Sequence, residues 1–432
     1  MGSVPLCLLL SLTALGVALP EDGDEYTWPH GKVPLVRSER TVRLSRPAFG
    51  GEPQGELRGA CAIECQSALP RPDAADLERL LSYETVYENG SRTLTRVSVR
   101  GLAEDAPPRN ASRPRRRREV YGTDSRFTIS DRQFSTSYPF STTVRLSTGC
   151  SGILVSPKHV LTAAHCIHDG KDYLKGAKRL RVGLLKLRSK QRGGRKKGRR
   201  KGEGQKGEGK EEGKGEQEGK GEQEEKGEPE GKGEPEGKGG REGKGGKRRG
   251  RKSRSRRSAE AKKPTFRWTR VKQTQVPQGW LKGPSGKAEV AVDYDYALLE
   301  MKRPHRQKFM DLGVVPSVRE LPAGRVHFSG FDDDRAGQLV YRFCSVTEES
   351  GDLLYQQCDS RPGAGGSGIY VRLKEPGKRK WTRKIVGVFS GHHWVDVNGA
   401  QQDYNVGVRI TPEKYAQICL WVHGNSEECR SA

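Results

Sequence analysis

Large apolar side chains are scarce in this chain, and the scarcity is uneven. Hydrophobic residues make up 32% of the 432 positions and mean hydropathy is −0.82, too low for a packed body throughout, so part of the length has no core. That part is residues 188–263, which repeat Gly-Glu-x-Glu-Gly-Lys-like units almost without a large apolar residue. Such a stretch cannot bury enough surface to offset chain entropy and reads as a disordered insertion. After the first twenty residues no apolar run reaches membrane-spanning length, so no membrane partner is expected. No histidine pair at ligand spacing accompanies Cys61-x3-Cys65, so neither a metal nor any other cofactor is expected.

Val4 to Leu19 is apolar apart from small polar residues, with small residues for cleavage near Ala14 or Ala18. Residues 1–20 therefore read as a secretory signal peptide and the mature protein as secreted, extracellular and soluble. Removing Cys7 leaves Cys61, Cys65, Cys150, Cys166, Cys344, Cys358, Cys419 and Cys429. An even set on an oxidising route points to disulfides, with the pairing of Cys61, Cys65, Cys419 and Cys429 open.

Residues 21–118 read as a pro-segment rich in proline, glycine and charge, with one helix-like patch, Ala75 to Leu81, and one strand, Thr93 to Val99. Asn89-Gly90-Ser91 and Asn110-Ala111-Ser112 are glycosylation acceptors. Arg115 to Arg118 forms a basic site for a processing convertase, with a second after Arg257.

Half of the net charge of +25 lies in the insertion: nine basic residues in 188–201, fourteen Glu against nine Lys or Arg in 202–246, and eight basic residues in 247–257, a net +12. Basic clusters of this kind attract polyanions. On a secreted chain the expected partners are sulfated glycans or extracellular proteins, and nucleic acid is not expected.

Chemistry concentrates at Leu161-Thr162-Ala163-Ala164-His165-Cys166, where small residues pack beside one histidine, and at Asp295-Tyr296-Ala297-Leu298-Leu299. A histidine that takes and gives a proton needs close packing of its backbone and a carboxylate to fix its tautomer. These runs, in this order, resemble those of the trypsin-like serine proteases. The resemblance covers roughly 120–187 and 264–432. It implies His165 as general base, Asp295 as its carboxylate partner, and disulfides Cys150 to Cys166 and Cys344 to Cys358. Short strands without long helical periods agree with an all-β fold of two six-stranded antiparallel β-barrels over 119–432, interrupted by the insertion. Val144 to Leu146, Gly152 to Val155, Tyr294 to Met301, Val326 to Phe328 and Lys384 to Phe389 are expected strands, and Pro412 to Val422 the closing helix.

The third catalytic position departs from the family pattern. The nucleophile belongs in Gly-Asp-Ser-Gly-Gly-Pro, or Gly-Asn-Ser-Gly-Ser-Pro in the glutamyl endopeptidase branch. This chain reads Gly363-Ala364-Gly365-Gly366-Ser367-Gly368-Ile369-Tyr370. In one register Gly365 replaces the nucleophile and Ala364 replaces the aspartate that captures the new amino terminus of activated trypsin-like enzymes. In the other, Ser367 is the nucleophile and the amides of Gly365 and Ser367 form the oxyanion hole. Ser390-Gly391-His392 falls where the branch places its substrate pocket, with His392 reading an acidic side chain. The expected function is that of an inactive serine protease homologue acting by binding, and the alternative is an active serine endopeptidase using Ser367.

Overall fold

The computed structural model describes residues 33–45, 49–53, 71–102, 124–186, 265–282 and 292–430, except 316, 319–320, 322–324, 336, 378 and 398–399; side chains of 394–401 and 429–430 are not described. In chain order the first elements are β1 (Leu35–Leu44), a helix (Ala74–Leu81), β2 (Tyr83–Tyr87), β3 (Arg92–Arg100) and β4 (Phe127–Ile129). Six strands follow: β5 (Thr143–Leu146), β6 (Ser151–Leu154), β7 (His159–Thr162), β8 (Arg181–Leu185), β9 (Phe266–Pro277) and β10 (Ala297–Met301). They close a ring in the order β9-β10-β7-β6-β5-β8, with β8 pairing back to β9.

The second ring uses β12 (Arg325–Gly330), β13 (Leu339–Glu349), β14 (Leu353–Gln356), β15 (Gly368–Lys374), β16 (Trp381–Val397) and β17 (Ala400–Arg409), after the short β11 (Asp311–Leu312). Its order is β16-β15-β12-β13-β14-β17, with β17 pairing back to β16, while β11 and β4 add to β16 and β13. Two closed six-stranded antiparallel barrels are therefore present, and closure satisfies strand edges that would otherwise invite pairing. Every strand expected from the sequence overlaps one of these, but Val155 lies just beyond β6, Tyr294 belongs to a 3-10 turn, Val292–Tyr294, and Asp295 and Tyr296 link that turn to β10.

The closing helix runs Pro412–His423. Thr411 caps it by accepting from the Lys414 amide, proline takes its first position, and Gly424 ends it at φ 79°.

The segment before residue 119 is more structured than its composition implied. β1, β3 and β2 extend the first barrel's sheet from β9, with Tyr83 paired to Pro277 and Val86 to Thr274. In β3 the alternation is regular: Thr95, Val97 and Val99 are buried while Arg96 and Arg100 are exposed, which places one face on the core. Val36, Leu77, Leu80, Leu81, Tyr83 and Val86 belong to the main hydrophobic cluster, together with Trp421 of the closing helix. Polar ties accompany them: Gln417 donates to the Leu81 carbonyl, the Val36 amide donates to Ser426 Oγ, and Tyr173 donates to Glu84. Sequence periodicity could not show this, because the pairing of 83–87 with 273–277 is non-local.

Asn89 is exposed in the β2–β3 turn, where its Oδ1 accepts from the Ser91 amide at 2.9 Å. Residues 1–20, Cys61, Cys65, Asn110, Arg118, Arg257 and the insertion 188–263 lie outside the described residues. Among the described residues no helix is long and apolar enough to cross a membrane.

Each fully buried aliphatic or aromatic side chain in the N-terminal segment contributes about 1.5–3 kcal/mol, so the segment's hold on the barrel does not need a covalent link. A chain cut between residues 103 and 123 and then reduced is expected to elute as one particle in native gel filtration and to part only in denaturant. Leu81→Asp, which places a carboxylate at a fully buried position, should release the segment under native reducing conditions. Separation of the unmodified cut chain on reduction alone would show that disulfides, not packing, hold the segment.

Candidate functional site

β7 delivers the chain into a tight turn in which Ala163 and Ala164 are fully buried and His165 is turned outward. Only small side chains fit this approach, and the Cys150–Cys166 disulfide, Cα atoms 5.9 Å apart, fixes the turn to the start of β6. Asp295 sits just before β10 and is fully buried. Its Oδ1 accepts from the His165 amide at 2.8 Å, and its Oδ2 accepts from His165 Nδ1 at 2.8 Å and from Ser390 Oγ at 2.5 Å. Since Asp295 accepts throughout, the imidazole proton is on Nδ1 and Nε2 is left as the acceptor. The structure thus brings His165 and Asp295 together in the arrangement of a general base and its orienting carboxylate.

Nε2 faces Gly365. A Cβ built at residue 365 would lie 2.7 Å from Nε2 and 3.1 Å from Cε1. Ser367 is directed elsewhere: it is fully buried, its Oγ donates to the Ala364 carbonyl at 2.7 Å, and a Cβ at Gly330 would lie 2.6 Å from that oxygen. The Ser367 amide also donates to the Ala364 carbonyl, so it is not free to serve an oxyanion. The register that makes Ser367 the nucleophile therefore does not match this geometry.

Of the two expected pocket residues, Ser390 is buried with its hydroxyl donating to Asp295, and His392, a third exposed, contacts Asp403 across the β16–β17 hairpin. Cys150, His165 and Cys166 are the one group of three potential metal donors among the described residues. Their two sulfurs are bonded to each other and offer no thiolate. The second expected disulfide, Cys344–Cys358, is present, and Cys419 is disulfide-bonded to a cysteine outside the described side chains.

Comparison with known proteins agrees with this arrangement. A family model described as Trypsin matches residues 129–206. Human inactive serine protease 35 is 58% identical over 94% of this chain and 95% of its own length, and bovine serine protease 23 is 45% identical over 99% and 98%. The chain belongs to the trypsin-like serine protease family. A solved structure of a Glu endopeptidase in complex with MPD aligns with 69% of this chain and 97% of its own at 15% identity and a TM-score of 0.40.

Within that family the loop preceding residue 365 is held here by groups that sequence reading missed. Ala364, where trypsin-like enzymes carry their aspartate, is a fully buried methyl. Instead Arg126 donates to Asp332 and to Asp334, each at 2.8 Å, and Arg342 donates to the same Asp332 oxygen at 2.5 Å. Arg342 also donates to the Asp359 carbonyl, and the Ser125 amide and hydroxyl both donate to the Asp359 carboxylate at 2.7 Å. The Arg126 guanidinium holds the Asp334 carboxyl below its ordinary range, and that of Asp124 further below. No local signal marks the pairs of Arg126 with Asp332 and Asp334 or of Ser125 with Asp359, whose members lie more than 200 residues apart.

The glycines of the loop differ in what they tolerate. Gly366 has φ +83°, and a Cβ there would come within 2.2 Å of Thr162 Oγ1 and 2.3 Å of the Ser151 carbonyl, so only glycine fits. At Gly365, whose φ is not left-handed, a Cβ meets only the end of the His165 imidazole and that ring would have to move to admit it. Gly366→Ala is expected to cost about 3 kcal/mol or more through overpacking and left-handed strain, and Gly365→Ala about 1 kcal/mol or less. Chemical denaturation of the two variants checks this, and equal losses would show that residue 365 has no room for a side chain.

Proposed function

We propose that this chain is a secreted, catalytically inactive trypsin-fold homologue that acts by binding. The observation that carries the reading is what faces His165 Nε2: the general base and its carboxylate are assembled, and the residue they would activate is Gly365. A glycine has no oxygen to form an acyl-enzyme, and the one nearby serine, Ser367, spends its hydroxyl on Ala364. The name that the relatives at 54–58% identity carry, inactive serine protease 35, supports the same reading.

On this reading residues 1–20 direct secretion, a convertase cuts after Arg118 and Arg257, and Asn89 and Asn110 carry glycans. The partners are extracellular proteins or sulfated glycans. Exposure of Asn89 at a turn tip supports its use as an acceptor.

A fluorophosphonate probe, which needs a base-activated serine, should leave the unmodified protein unlabelled. Gly365→Ser should gain labelling, and His165→Ala in that background should abolish it. Ala364 is better left alone, since it is fully buried and a larger residue would overpack. Labelling of the unmodified protein that disappears in Ser367→Ala would overturn the inactive reading.

The charge of residues 188–257 favours a binding role for the insertion. Two basic clusters on one tether each neutralise a run of sulfates, and binding of the first raises the effective concentration of the second. The acidic middle opposes this only locally, because charges more than about 8 Å apart are screened at physiological salt. A chain lacking residues 188–257 is expected to leave a heparin column at clearly lower salt than the full chain. Equal elution would move the affinity to the folded body.

A further inference from the structure

Away from His165, the segment Phe134 to Phe140 stands over the face of the second barrel and encloses a cleft of about 310 Å³. Its walls are rings. His327 stacks on Tyr370, centroids 5.4 Å apart and planes within 18°, and on Tyr341 at 6.1 Å and 8°. Tyr138 and Phe134 line the opposite side, and Phe134 is 57% exposed although its ring is large and apolar.

At the same cleft stand two guanidinium groups. Arg372 on β15 and Arg383 on β16 are directly opposed across the strand pair. Like charges in that relation repel and destabilise a sheet unless something neutralises them, and among the described residues no carboxylate forms an ion pair with either. Each lies over a ring instead, Arg372 over Trp381 at 4.7 Å and Arg383 over Tyr138 at 5.7 Å. Lys308 adds a further cation over Tyr138 at 5.8 Å, and Asp311 is the one carboxylate whose charge reaches that tyrosine. His327 adds no positive charge: its Nδ1 is hydrogen-bonded to the Tyr341 hydroxyl at 2.8 Å, and burial with Arg383, Arg372 and Arg325 nearby pushes it down to about 4.

Aromatic walls accept a flat ring, and paired guanidiniums accept a tetrahedral oxyanion through parallel hydrogen bonds. The volume is at the small end for ligand sites, about 300–1,000 Å³. It admits one ring with one anionic group and excludes a length of polysaccharide. We infer that the cleft lined by Tyr138, His327, Tyr370, Arg372 and Arg383 binds an aryl sulfate or aryl phosphate ester, presented as a modified tyrosine on a peptide. His165 is not among the residues that line this cleft, and the inference does not depend on the reading of the His165 site or of the insertion.

Fluorescence anisotropy with the full chain tests it, using one labelled peptide carrying sulfotyrosine, phosphotyrosine or unmodified tyrosine at a single position. At least one ester is expected to bind ten or more times tighter than the unmodified peptide, and the preference between the two identifies the source. Arg372→Gln with Arg383→Gln should lower the affinity for the ester at least tenfold, with the melting temperature no lower than that of the unmodified protein and the heparin elution unchanged. Phe134→Ala, at an exposed position where unfolding is not a concern, should weaken binding severalfold. Equal affinity for all three peptides, undiminished binding by the arginine variant, or displacement of the peptide by a heparin tetrasaccharide that binds the arginine variant equally well would each overturn the inference.

Discussion

A single buried carboxylate, that of Asp295, joins the two barrels. An ionised carboxylate removed from water costs several kcal/mol unless its oxygens are well supplied with donors. The donors come from both halves of the fold: the amide and ring of His165, which follows β7, and the hydroxyl of Ser390 on β16. Solvating this one group therefore fixes β7, β10 and β16 relative to one another. The His–Asp pair has a use in holding the fold whether or not a nucleophile faces the imidazole. Its presence is consequently weak evidence for catalysis, and the argument about activity has to rest on residue 365.

Asp332 is a second buried carboxylate, at the loop that leads to residue 365, and both of its arginine partners donate to the same oxygen, Oδ2. It is fully buried between Arg126 and Arg342, and Asp359 beside it is tied to Ser125. In trypsin-like enzymes a newly made amino terminus orders this region by pairing with an aspartate that here is Ala364. In this chain a side chain eight residues beyond Arg118 makes the contact while the polypeptide is continuous. Ordering of the loop thus comes from internal ion pairs, and an amino terminus made by cutting after Arg118 would find no carboxylate at residue 364. The N-terminal segment points the same way, since its strands and helix are already part of the first barrel's sheet and core.

What the sequence made legible follows from which signals are local. Small residues beside His165, the run from Asp295 to Leu299 and the capped helix after Thr411 are each contained in a short window, and all three were found in place. The two barrels were legible from many short strands read together with a family resemblance. Three features were not legible. The pairing of β2 with β9 joins residues about 190 apart and leaves no periodic trace, so a segment that reads as proline, glycine and charge proved to carry an integral sheet extension. The bond from Ser390 to Asp295 was not legible because a serine on the expected pocket strand looks the same in sequence whether it faces a substrate or a buried carboxylate. The choice between Gly365 and Ser367 could not be settled by motif matching, since both registers satisfy a glycine-rich pattern. It took the direction of one hydroxyl to separate them.

The basic character of the chain divides into two kinds of charge. The insertion holds about half of it in dense clusters at its two ends, and attraction of polyanions by such clusters is in general non-directional and falls steeply as salt rises. Arg372 and Arg383 hold only two charges, but they sit opposite each other at a cleft walled by rings, where shape and hydrogen-bond direction matter as much as charge. Solvent screening weakens the first far more than the second, because a partly enclosed guanidinium keeps its partner at contact distance while a tethered cluster acts across water. A ligand that engages the cleft should therefore be chosen by its ring and oxyanion geometry, and one that engages the insertion by its charge density alone.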